Sequence, residues 1–224
     1  MKTVNPSIGV FSFGRRESAR CPDKMLRPFG KTTLTDILLN KLKHFGDSAF
    51  FAGRDEDFRK RCANHGVRFV ERSEHSVSID EPITDILSFL EAENFSHFLI
   101  VNGCLPFLSL KTIQDFHTTC LEDASRPAFG VVARQNFFLD SSLDPINFSE
   151  EVTTINTKRA EPVYEFAHAL YFFEKTFFFK NRRYWNWSEV RYLQMGSRYE
   201  LVDIDDEADF AFAETLWKAK MSEA

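Results

Sequence analysis

The sequence predicts an α/β protein built on a mainly parallel sheet with helices on both faces, and three observations carry that prediction. Short apolar runs alternate with helical patterns through the first half of the chain. The helical patterns have recognisable starts or stops. No internal repeat or low-complexity segment interrupts the series. Strand–helix–strand alternation implies right-handed crossovers, which set successive strands parallel and cover both faces of the sheet. A length of 224 residues suits one domain spanning 1–224, with a sizeable insertion.

Strands are expected at residues 8–13, 48–52, 67–70, 98–101 and 129–133. After the first, Thr33 with Asp36 three residues on reads as a capping box, and Leu34, Ile37, Leu38 and Leu42 form the apolar stripe behind it. Asp55 opens a second helix through Phe58 and Cys62 that stops near Gly66. Asp80 followed by Glu81-Pro82 opens a third, with Ile83, Ile86, Leu87 and Leu90 on one face. Ser109 opens a fourth, through Ile113, Phe116 and Cys120. The alternation breaks after Arg134. Residues 134–198 are rich in aromatics and read as an insertion with one or two hairpins. It supplies either extra core for a wide sheet or a dimer interface and lid over a second substrate. The pattern then returns, with a strand at 199–204 and a helix at 206–220 whose inner face carries Phe210, Ala213 and Trp217.

Composition excludes several classes. The formal charge of −5 argues against a general nucleic-acid binder, although Lys180–Trp185 is a short basic-aromatic run. No apolar run approaches the roughly 20 residues of a membrane span. The four cysteines, at 21, 62, 104 and 120, form no CxxC pair. Reduced thiols and a cytoplasmic location are therefore expected. The 25 Phe require a thick core, a buried subunit interface, or both.

Two stretches carry chemistry. From Arg15 to Lys31 there are six cations (Arg15, Arg16, Arg20, Lys24, Arg27, Lys31) against two anions (Glu17, Asp23). A basic strand-to-helix loop in an acidic protein suits a phosphate chain. Near the other end, residues 203–209 hold five acids in seven positions. In an extended segment Asp203 and Asp205 point the same way. Two hard carboxylates suit Mg2+, which completes its shell with water and phosphate. Asp206 and Asp209 are better explained as acids matching a helix dipole. Cations for a triphosphate and carboxylates for its metal together ask for phosphoryl or nucleotidyl transfer. No HExxH, GxSxG, GxxxxGK[ST] or GxGxxG competes with that assignment.

Arg15-x-x-Ser18-x-Arg20-x-Pro22-x-Lys24 resembles the N-terminal signature of the sugar-activating cytidylyltransferases, which include the N-acylneuraminate (CMP-sialic acid synthetase) and 3-deoxy-manno-octulosonate enzymes. Leu99-Ile100-Val101-Asn102-Gly103-Cys104-Leu105-Pro106-Phe107 resembles their central strand and turn. Val202-Asp203-Ile204-Asp205-Asp206-Glu207-Ala208-Asp209-Phe210 resembles the acidic motif of the sialic-acid branch. The resemblance implies a three-layer Rossmann-like nucleotidyltransferase fold of the nucleotide-diphospho-sugar transferase type. It implies transfer of CMP from CTP to an acidic sugar, with release of pyrophosphate, by a homodimer. Arg15 and Lys24 would contact phosphate oxygens and stabilise developing charge, and Ser18 and Arg20 would complete the nucleotide site. Asn102 and His168 would meet the acceptor, and Asp203 and Asp205 would hold Mg2+. A buried structural histidine fits position 168 equally well, and surface solvation is the expectation for Arg27. The chain departs from the family pattern in carrying Arg16-Glu17 where a Gly-Gly pair is usual. It also has Cys104 in place of an Asp metal ligand, and Asn102 in place of Gln. A different acceptor, a glycosyltransferase of related fold and a catalytically silent relative are the alternatives. The Asp-x-Asp near the C-terminus, rather than after the central strand, argues against the glycosyltransferase.

Overall fold

The computed structural model describes residues 6–222 apart from Ala19, which lies in the basic loop, and the side chain of Arg198. Seven strands form one sheet: β1 (Ile8–Phe13), β2 (Ala49–Gly53), β3 (Arg68–Glu71), β4 (His97–Val101), β5 (Ala128–Arg134), β6 (Val163–Glu174) and β7 (Arg191–Gln194). Their order is β3-β2-β1-β4-β6-β5-β7. β1 pairs parallel with β2 and β4, β2 with β3, and β5 with β7, while β6 runs antiparallel between β4 and β5. The mostly parallel α/β sheet predicted from sequence is therefore what forms. β1, β2 and β4 are continuous apolar runs because strands covered on both faces have no polar side.

The helices cover the two faces. α1 (Leu34–Leu42) starts at Thr33, whose hydroxyl accepts from the Asp36 N–H, as the capping pattern requires. α2 (Glu56–His65) ends at Gly66 in the left-handed conformation. Asp55 occupies its N-cap position without a side-chain cap bond. α5 (Leu110–Glu122) is capped by Ser109, and its Ile113, Phe116 and Cys120 are buried. α7 (Glu207–Ser222) packs Phe210 and Ala213 inward. One core lies under α1, α5 and α7. The other gathers Phe11, Phe50, Phe98, Phe173 and Phe178 on the opposite face. Ten of the twelve largest fully buried side chains described are Phe, so the phenylalanine content goes chiefly into the core.

Three expectations are changed or narrowed. The third helix, expected to open at Asp80, forms as a short α4 (Ile83–Ile86) with Pro82 at its N-cap and a 3-10 segment at Ser88–Ala92, and a separate short α3 (Glu74–Ser78), outside the expected series, precedes it. The middle of the aromatic insertion supplies core to a wide sheet, which is one of the two readings expected of it. Its twelve-residue β6 is an internal strand, and α6 (Lys175–Asn181) follows it directly. Residues 199–204 join no strand ladder among the described residues. A 3-10 turn forms at Arg198–Leu201, with the Ser197 hydroxyl accepting from the Tyr199 N–H, and Ile204 N–H then donates to the Cys104 carbonyl at 3.1 Å. The segment thus begins in a 3-10 turn, turns extended at Val202 and reaches the turn after β4. No described helix is long and apolar enough to cross a membrane.

Candidate active site

The loop after β1 and the turn after β4 meet at the carboxyl edge of the sheet, where α/β proteins place ligands. They border a cleft of about 480 Å3. Arg15, Ser18, Arg20 and Lys24 line one side, Asn102, Gly103 and Cys104 the floor, and Arg72, Ile79, Asp80 and Ile86 the far wall. The turn packs tightly here: a Cβ on Gly103 would stand 2.8 Å from Met25 Cε and 3.0 Å from Leu38 Cδ2.

The two ends of the chain converge on this cleft. Lys24 Nζ donates to the Ile204 carbonyl at 2.5 Å. Arg20 Nη2 donates to Asp205 Oδ1 at 2.8 Å. Arg15 reaches across to the far wall, to the carbonyls of Val77 (3.2 Å) and Ile79 (3.4 Å) and to Asp80 Oδ1 (2.5 Å). The basic loop is thus held by neighbouring acceptors, two of which are exposed carboxylates that a bound anion can replace.

Asp203 is placed differently from Asp205. Its Oδ1 is buried with no hydrogen-bond partner among the described residues. Burial pushes its carboxyl above the ordinary range, and repulsion from Asp205 adds to this, while Lys24 and His168 pull it back. An orphaned buried carboxylate oxygen costs free energy unless a cation meets it. Beside Asp205 it fits the need of Mg2+ for one or two protein carboxylates plus phosphate oxygens. Among the described residues no cluster of three His, Cys, Asp or Glu side chains could hold a metal, so protein ligands alone do not complete a cage. Asp206 and Asp209 serve α7 instead. Asp206 Oδ1 accepts from Asp209 N–H at 2.9 Å, and Asp209 Oδ2 accepts from the N–H groups of Asp205 and Asp206.

Other assignments separate. Asn102 lies in the cleft, but its amide is engaged internally: Nδ2 donates to the His168 carbonyl and Oδ1 accepts from Cys104 N–H, both at 2.9 Å. His168 is exposed rather than buried. It takes a positive φ of 49° at the irregularity between β5 and β6, and its Nδ1 lies 3.0 Å from Tyr171 Oη. Arg27 is not a solvated surface residue. It forms a two-pronged pair with Glu207 at 2.8 and 2.7 Å, and its guanidinium stacks 3.7 Å from the Phe210 ring centroid. Cys104 borders the cleft, and burial raises its thiol.

Sequence reasoning missed Arg72. It is 2% exposed, yet no carboxylate pairs with it. Its guanidinium donates instead to the Gly14, Ser76 and Ile86 carbonyls and to Ser76 Oγ. Burial, helped by the neighbouring Arg15, lowers its pKa to about 10. A lone Arg after a four-residue strand gives no motif. Only its place at the carboxyl end of β3 marks it.

A cation-rich cleft at the carboxyl edge of a mostly parallel sheet defines the class of α/β enzymes that take up phosphorylated ligands. Within that class the chain belongs to the cytidylyltransferase family, whose model matches residues 14–215, and that family consists of nucleotidyltransferases. No curated protein matches the sequence. Among solved structures, CMP:2-keto-3-deoxy-manno-octonic acid synthetase complexed with CTP is similar at TM-score 0.68 and 10% identity, over 95% of this chain and 99% of its own. The 4-diphosphocytidyl-2C-methyl-D-erythritol synthase of Anaerococcus prevotii is similar at TM-score 0.62 and 14% identity, over 93% and 96%. A cytidylyltransferase of Leptospira borgpetersenii serovar Hardjo-bovis is similar at TM-score 0.58 and 14% identity, over 97% and 96%. These likenesses carry the fold.

Proposed function

We propose that this protein transfers the cytidylyl group of CTP to an acidic sugar of the nonulosonic (sialic acid-like) type, giving a CMP-sugar and pyrophosphate. The observation that carries the reading is that the basic loop lining the cleft with Arg15, Ser18, Arg20 and Lys24 meets the acidic segment from the other end of the chain, through Arg20 to Asp205 and Lys24 to the Ile204 carbonyl, with the Asp203 carboxyl close enough for both Lys24 and Asp205 to act on it. The CTP complex among the structurally similar proteins supports the choice of nucleotide.

In this reading Arg15 and Lys24 exchange their present acceptors for phosphate oxygens. They stabilise the charge that grows on the α-phosphate and on the departing pyrophosphate. The Ser18 hydroxyl adds a hydrogen bond and Arg20 completes the cationic wall. Asp203 and Asp205 hold Mg2+, which supplies Lewis-acid stabilisation of the phosphoryl oxygens when bound. Releasing Asp205 from Arg20 frees both partners at once. The acceptor side is the exposed His168 imidazole, with Asn102 acting by fixing the His168 backbone and the turn at Cys104. A cytoplasmic homodimer belongs to the same reading. The long connection between β5 and β6 leaves Leu143 and Ile155 more than 70% exposed, which suits a partner surface. Other acceptors fit the nucleotide half equally.

The test is pyrophosphate release with each of the four ribonucleoside triphosphates and Mg2+ across a panel of acidic sugars. Release with CTP and a nonulosonic acid is expected. Turnover confined to GTP or UTP would overturn the cytidylyl assignment, and turnover with CTP only on an alditol phosphate would overturn the acceptor class.

A further inference from the structure

A second cavity lies away from the cleft. A groove of about 820 Å3 runs between α1 and α7. Ile37, Trp217 and Met221 give it an apolar floor, and Lys31, Lys41 and Lys218 give it charge. Among the described residues no Asp or Glu lines it, although the chain as a whole carries −5. Glu214 offsets Lys218 at 2.9 Å. Among the described residues Lys41 donates only to neutral acceptors, the carbonyls of Leu105 at 3.4 Å and Pro106 at 3.0 Å. An ammonium has three donors, so these leave one free. Glu200 and Lys220 act on it with opposite sign, and burial outweighs both, lowering its pKa to about 7.

We propose that this groove binds a small amphipathic anion, with an aromatic or aliphatic body against Trp217, Ile37 and Met221 and an anionic head among the three lysines. Pockets for small molecules combine an apolar lining with a few convergent polar groups, and this groove has that composition. A neutral apolar ligand would bury Lys41 further and drive its ammonium toward the neutral amine. An anion supplies the missing counter-charge and the acceptor for its third proton.

The experiment titrates the full chain with two dyes of similar shape, the anionic anilinonaphthalene sulfonate and the neutral phenylnaphthylamine. It is repeated on Lys31→Glu/Lys218→Glu, in which both replaced side chains are exposed and the fold is not at risk. One saturable site for the anionic dye is expected, retained in saturating CTP. The double variant should weaken the anionic dye by about tenfold and leave the neutral dye within about twofold. Competition by decanoate or by naphthoate would support an aliphatic or an aromatic body respectively. The proposal is overturned if CTP displaces the dye, if the variant weakens both dyes alike or neither, or if neither carboxylate competes.

Discussion

Arg15 is tied to Asp80 across the cleft it is proposed to serve, and the tie sets a measurable cost on nucleotide binding. The pair is short, at 2.5 Å, but open to solvent, with side-chain exposures of 34% and 84%. Exposed pairs of this kind contribute about 0.2–1 kcal/mol. The carbonyl bonds to Val77 and Ile79, at 3.2 and 3.4 Å, are the longer part of the latch. A triphosphate that recruits Arg15 must first displace Asp80, and Asp80 also repels it. Replacing Asp80 by Asn removes the charge while keeping the shape. CTP affinity measured by calorimetry should therefore improve about two- to fivefold, corresponding to about 0.5–1 kcal/mol. The gain should shrink at high salt, because the pair is screened. Thermal stability should barely move, since so exposed an acid holds little of the fold. Unchanged or weaker CTP binding by Asp80→Asn would mean that Arg15 stays on Asp80 in the complex, and the phosphate role of Arg15 would fall.

Lys24→Ala should lower kcat/KM by about 10²–10³, the loss expected for a positioned donor to developing charge. A decrease below about tenfold in steady-state assays would remove Lys24 from the catalytic set. Arg27→Ala should cut the thermal midpoint by a few degrees through loss of the Glu207 pair and the Phe210 stack, with kcat of the folded enzyme retained. A thermal melt matching wild type would contradict that structural role. Lys41 binds its proton near pH 7 in the folded state but near 10.5 when unfolded, so the unfolded chain holds more protons between those values. Stability contributed by this residue should rise over that window by up to about 1.4 kcal/mol per pH unit. Cys62 and Cys120, both pushed up to about 12, pull the opposite way. The check is therefore the difference between wild type and Lys41→Met in denaturant titrations at several pH values; a flat difference would refute the desolvated ammonium.

Local signals in the sequence survived wherever the local and global demands agree. Thr33, Ser109 and Gly66 mark helix ends because each satisfies backbone groups within its own turn. The buried parallel strands are equally legible as apolar runs. What could not be read depends on distant partners. β6 lies between β4 and β5, and nothing in its aromatic composition says that it is an internal antiparallel strand. Residues 199–204 alternate like a strand, yet the chain must cross to Cys104 there, and the crossing denies them a ladder. The basic loop and the Asp203–Asp205 pair were visible as motifs, and their meeting could only be inferred. Arg72 was invisible for the opposite reason: its role rests on burial beside Gly14, and an isolated arginine carries no mark of burial.

The central claim is that these converging groups move a cytidylyl group onto an acidic sugar. Following the α-phosphate label of CTP into product by mass spectrometry, with Mg2+ and a panel of nonulosonic acids, tests it most directly. A CMP-linked acidic sugar should form with wild type and fall by orders of magnitude with Asp203→Asn. Label that never joins an acidic sugar, or that joins one undiminished in Asp203→Asn, would contradict it.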